Sequence, residues 1–166
     1  FPEKYNQMNA QAAITVARIF ALDEADIEYG IKTFQGVSGR VEEVKNIKNL
    51  RVIVDFAHTP NAVSEVLTAL RKTTKGKLIV VFGATGRRDV TKRPKMGEIV
   101  SRLADFFIIT TDDSYDESIG VIINQIKSGV VTNHGAMLST IDRAKAIEYA
   151  VSMAGKDDTI ALLGKG

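Results

Sequence analysis

From Arg51 onward, short β-branched and aromatic runs alternate with amphipathic stretches, and this alternation restricts the fold more than any other feature of the sequence. Arg51 to Phe56, Lys77 to Phe82, Phe106 to Thr110, Ala136 to Thr140 and Thr159 to Leu163 read as strands. Helical spacing joins Val63, Val66, Leu67 and Leu70. It recurs in Met96, Ile99, Val100 and Leu103, in a helix starting at about Pro94. It is seen again in Ile119, Ile122, Ile123 and Ile126, and in Ile147, Ala150 and Val151. Strands separated by helices pair in parallel, because a parallel neighbour needs a crossover connection. Strands apolar on both sides require cover on both sides. The expected fold class is α/β, a mostly parallel sheet with helices on both faces. Val41 to Val44 is a candidate edge strand, where Glu42 and Glu43 would suit exposure.

Before this region the rhythm is helical. Asn6 to Leu22 carries Ala12, Ala13, Val16, Ala17 and Phe20 at helical spacing, and Asp23 reads as the N-cap of a second helix with Ile27, Ile31 and Phe34. Gly36 and Gly39 punctuate the chain, which places a domain boundary between residues 1–35 and 36–166. A net charge of +2 gives no argument for a nucleic-acid or membrane partner. The absence of cysteine excludes disulfides and thiolate metal sites and is compatible with the cytoplasm. No apolar run approaches the roughly 20 residues that span a bilayer. The start at Phe1-Pro2 and the stop just after an apolar run suggest a chain cut from something longer.

In a parallel α/β sheet, ligands bind beyond the carboxyl ends of the strands. Three unusual stretches lie there. In Asp55 to Pro60, Asp55 can accept from a ribose diol and His58 can reach a base or phosphate; equally, Thr59-Pro60 starts a helix and the rest serves the turn. In Gly83 to Lys95, glycines admit a close backbone approach, and Arg87, Arg88, Lys92, Arg93 and Lys95 suit an anion; a solvated basic loop is the plainer alternative. In Thr110 to Glu117, the acids can hold a metal or an ammonium group, or cap the next helix. Val80 to Gly86 also resembles a dinucleotide fingerprint, but Thr85 and Arg88 stand where its second and third glycines belong. No phosphate-binding G-x-x-x-x-G-K-[ST] loop occurs. His58 and His134 are the only histidines, so no histidine-rich metal site is expected.

Together, Gly36 to Arg40, Val54 to Pro60, Val80 to Pro94 with Met96-Gly97-Glu98, Ala104-Asp105 and Leu163 to Gly166 resemble the Mur ligases, most closely the tripeptide-synthetase type. The resemblance covers nearly the whole chain. It implies that residues 1–35 are the helical end of a central ATP-binding domain and residues 36–166 a Rossmann-like third domain, truncated at its carboxyl end. It implies an ATP-dependent acid–amino-acid ligase of peptidoglycan precursor synthesis, cytoplasmic and monomeric. A diamino acid would be added to UDP-N-acetylmuramoyl-L-alanyl-D-glutamate through an acyl phosphate. ATP and Mg²⁺ would be the cofactors, the metal held mainly outside this chain. Asn6 and Asn9 would lie near the adenine, although Glu3 departs from the family's glycine. Arg40, Asp55 and His58 would meet the nucleotide. Arg88 would grip the incoming carboxylate, while Asp113 and Gly164 would read its far end, with Arg93 and Tyr115 supporting. No residue here is assigned as catalytic and none as a metal ligand. The isolated chain is expected to fold without ligating, and the third domain to swing about Gly36 to Arg40.

Members that add diaminopimelate carry D-N-P-R where this chain has Asp112-Asp113-Ser114-Tyr115. Without that arginine, and with Asp113 free to pair with an ammonium, lysine is favoured over meso-diaminopimelate. Arg87 replaces a commonly acidic residue. The alternatives are another amide ligase of the superfamily, of folylpolyglutamate or cyanophycin synthetase type, a dinucleotide-binding reductase, or a non-catalytic interaction domain.

Overall fold

The computed structural model describes residues 4–131 and 135–165. Phe1, Pro2, Glu3, His134 and Gly166, named above, lie outside the described residues. The chain divides into two compact units, residues 1–37 and 38–166.

The first unit holds α1 (Lys4–Ile19) and α2 (Glu24–Thr33). The first helix ends three residues earlier than its pattern suggests, because Ala21 takes a left-handed conformation (φ 55°) that breaks the helical ladder. Asp23 has the extended backbone of an N-cap, but its side chain makes no capping bond. Ile27 is buried, whereas Val16, Ile19, Phe20 and Leu22 are exposed. A shallow apolar concavity on this unit, lined by Ala12, Ala13, Val16, Ala17, Phe20 and Leu22, carries no ionisable side chain.

The second unit is a six-stranded sheet with helices on both faces. Its elements are β1 (Glu42–Glu43), β2 (Arg51–Asp55), α3 (Pro60–Thr73), β3 (Leu78–Phe82), α4 (Lys92–Leu103), β4 (Phe106–Ile109), α5 (Ile119–Lys127), β5 (Ala136–Ser139), α6 (Arg143–Met153) and β6 (Thr159–Leu163). The order is β1-β2-β6-β3-β4-β5, all parallel except the antiparallel edge β1. The expected edge strand thus shrinks to two paired residues, since Val41 (φ 49°) turns away from the strand. α4 starts two residues before Pro94, because a proline is tolerated within a first turn, where backbone N–H groups have no helical partner.

Side-chain alternation assigns the faces. Ile53, Val80, Phe82, Phe107, Ile109 and Leu163 point to one side, where α3, α4 and α5 cover them. Val52, Ile79, Val81, Ile108 and Ile160 point to the other, against Ala146 and Ala150 of α6. Val63, Val66, Leu67 and Leu70 of α3 are all buried, each contributing about 1.5–3 kcal/mol of transfer free energy. Thr59 caps α3 by accepting from Ala62 N, with Pro60 in the first turn. Asp55 lies opposite Leu163, Leu162 opposite Val81, and Phe82 opposite Ile109, so these strands end level and their loops share one rim.

Candidate active site

Asp55, the last residue of β2, is 5% exposed. Its Oδ2 accepts from Val41 N at 2.9 Å and its Oδ1 from Ala57 N at 2.8 Å. The carboxylate therefore fixes both the turn carrying Arg40 and the start of the 56–59 loop, the turn-serving role that stood as the alternative to ribose binding. Glu42 holds the same turn, accepting from Gly39 N at 2.7 Å and Ser38 Oγ at 2.8 Å. Those bonds, the Gly39 N–H foremost, lower its pKa. The Arg40 guanidinium stacks on the Phe56 ring at 4.6 Å, and His58 meets the same ring edge-on at 4.8 Å. Arg40, Asp55 and His58 thus gather at the end of β2. Asn6, half-buried, and exposed Asn9 both lie on α1 of the first unit.

The basic loop after β3 divides its cations among different tasks. Lys92 is buried and its Nζ donates to the His58 carbonyl at 3.0 Å. Burial pushes its pKa down, with the Asp112 charge opposing. Arg93 is fully buried. It is paired with Glu117 at 2.5 and 2.8 Å and bonded to Gln125 and to the Thr85 carbonyl, while its Nε has no partner among the described residues. It supports the site from inside rather than facing a ligand. Arg87, in a left-handed conformation, pairs with Asp116 by donating from Nε and Nη2 to its two carboxylate oxygens. Arg88 is exposed and has no hydrogen bond or ion pair among the described residues, so its fork is open to a carboxylate.

Gly83 and Gly86 do not have the ligand-facing role expected of them. A Cβ at Gly83 would strike the Thr110 carbonyl, and one at Gly86 the Ser114 carbonyl. Both glycines admit the β4–α5 loop, leaving no phosphate cradle of the dinucleotide type. Gly86 N donates to the Asp113 carbonyl at 2.8 Å, which fastens the Arg88 loop to the Asp113 loop.

After β4, Asp112 is half-buried and accepts from Asp113 N at 2.8 Å. Its Oδ2 lies 3.1 Å from where a Gly164 Cβ would stand, and Gly164 has φ 98°, so a side chain there would be strained and crowd the acid. Asp113 is exposed and faces Lys165 at 2.6 Å. Tyr115 holds the loop tip, left-handed and exposed. The sequence reading missed Arg143, which donates to the Thr111 carbonyl at 3.3 Å and the Leu163 carbonyl at 3.0 Å, joining the ends of β4 and β6. Burial lowers its pKa, opposed by Asp112 and Asp113. Its signal was a cation in the first turn of a helix, where the dipole disfavours it. Among the described residues no group of three or more His, Cys, Asp or Glu could hold a metal ion, and no helix is long and apolar enough to cross a membrane.

Residues 39–166 match the family described as Mur ligase, glutamate ligase domain. The chain belongs to the Mur ligase family. It is 39% identical over 165 residues to the UDP-N-acetylmuramoyl-L-alanyl-D-glutamate–2,6-diaminopimelate ligase of Caldanaerobacter subterraneus, covering 99% of this chain and 34% of that protein. It is 41% identical over 167 residues to ligase 1 of the same name from Clostridium acetobutylicum, again covering 99% and 34%. A solved ligase of that name superposes with a TM-score of 0.73 at 29% identity, over 99% of this chain and 34% of the other. A pseudomurein peptide ligase type C from Methanothermus fervidus gives 0.78 at 25%, over 98% and 33%. The chain thus spans about a third of the length of these proteins. Its similarity is to the tripeptide-synthetase type, and its sheet is the Rossmann-like fold of the family's C-terminal domain.

Proposed function

We propose that this chain is the carboxyl-terminal part of an ATP-dependent ligase that adds a diamino acid to UDP-N-acetylmuramoyl-L-alanyl-D-glutamate. The observation that carries the reading is the Gly86–Asp113 backbone bond, which fastens the loop bearing the unpaired Arg88 to an acidic loop at one rim. An amino acid has a carboxylate for Arg88 and, if diamino, a distal ammonium for Asp113, with Gly164 leaving room beside Asp112. Residues 39–166 would be the substrate-binding domain. Residues 4–37 would be the end of the central domain, a reading supported by their exposed apolar side chains.

In this proposal ATP supplies the phosphoryl group that activates the precursor's carboxylate. Arg40 has the right chemistry for a phosphate and His58 for a phosphate or base, while Asp55 holds their loops. Mg²⁺ would be bound elsewhere in the full-length, cytoplasmic and monomeric enzyme. Lysine is the proposed substrate, because Tyr115 offers no cation for the second carboxylate of diaminopimelate. The names of the relatives favour diaminopimelate as the second reading.

The test is phosphate release by the full-length enzyme with ATP, Mg²⁺ and the UDP-muramoyl dipeptide. Lysine and meso-diaminopimelate are offered separately. Release with lysine alone is expected. Release with diaminopimelate alone reverses the specificity, and release with neither removes this substrate class.

A further inference from the structure

The carboxylate of Asp113 already holds an ammonium group. Lys165, next to Gly164 at the end of β6, brings its Nζ to 2.6 Å from Asp113 Oδ1. The two side chains are 46% and 61% exposed, so the pair stands in water at the mouth of the proposed amino-acid site. The Lys165 terminus is also chemically the distal end of free lysine, a primary ammonium on a four-carbon stem.

We propose that Lys165 is a specificity-determining residue, a tethered ammonium that competes with the distal ammonium of the substrate for Asp113. The proposal rests on the reading of Asp113 given above. Charge balance favours exchange over sharing. Arg143 interacts with both Asp112 and Asp113, and Lys92 with Asp112, so with Lys165 the two acids already face three cations. A fourth cation would add to that surplus, whereas one that displaces Lys165 leaves the local charge unchanged. An exposed lysine–carboxylate pair is only a few-fold more populated than its open form, so displacement is easy. An amino acid without a distal ammonium gains nothing from it.

The test is kinetic, in the full-length ligase. Lys165→Met keeps the length of the stem and removes the charge. The KM for lysine is expected to fall about two- to sixfold. The constant for norleucine, measured as Ki if it is not turned over, should stay unchanged. Lys165→Arg, which keeps a cation on Asp113, should hold both constants near wild type. A lysine KM that stays level or rises overturns competition and makes Lys165 a strut or a direct contact. An equal fall for norleucine also overturns it, since the effect would not concern the ammonium. Asp113→Asn tests the underlying reading separately. If the preference for lysine over norleucine survives that change, Asp113 does not read the ammonium, and both the site reading and the competition fail. If the preference is lost while Lys165→Met has no effect, only the competition fails.

Discussion

Removing the charge of Glu117 would leave the buried Arg93 guanidinium with neutral oxygens and no counter-charge. The Arg93 bond, helped by Arg87 N–H, lowers the Glu117 pKa from 4.5 to about 2. A depressed carboxylate stabilises the fold above its unfolded pKa and loses that contribution as pH falls through the folded value. Glu117→Gln should therefore lower Tm by about 5 °C or more at pH 7. The gap from wild type should close between about pH 4.5 and pH 2, as melting curves across that range would reveal. A gap independent of pH would assign the loss to packing. At this scale the sequence was readable where chemistry was unusual: Arg88 and Asp113 stood out after strands. Arg93 looked like one more loop cation, because nothing in its neighbours along the chain names Glu117 and Gln125 as partners. Lys92, Arg93 and Arg143 each occupy a first helical turn against the dipole, and each has a tertiary bond that explains it.

Helix packing turns on one small residue. Gly97 of α4 lies against the carbonyl of Ile126 in α5, and a Cβ would collide with that backbone. Alanine would raise helix propensity by about 1 kcal/mol, yet overpacking against backbone costs about 1–3 kcal/mol or more. Gly97→Ala is expected to destabilise on balance, with a lower denaturant midpoint at unchanged m-value. A raised midpoint would show that the helices separate freely. The strands and helices of the second unit were legible because hydrophobic periodicity reports local geometry directly. Their order was not, since alternation reveals which face is buried and not which strand lies beside it. β6 inserts between β2 and β3, and no local pattern announces it. The glycines of the β3 loop were visible too, but their occupant was protein backbone, a long-range fact.

Across the molecule, stability is unevenly spread. The sheet has an apolar core on each face, whereas α1 and α2 bury one residue, Ile27, among those described. Regions with few buried contacts open at low free energy. Amide exchange in the isolated chain should therefore be fastest in α1 and α2, and slowest in β3 and β6. Equal protection would mean the helices are held by more than this burial.

The glycine seams at Gly83 and Gly86, with the Arg87–Asp116 and Arg93–Glu117 pairs, make the β3 and β4 loops a single mechanical part. For anyone redesigning amino-acid choice, that sets the unit of exchange. Grafting a foreign tetrapeptide over Asp112 to Tyr115 alone would set it against glycines and arginines fitted to the original. Both loops should be transplanted as a cassette.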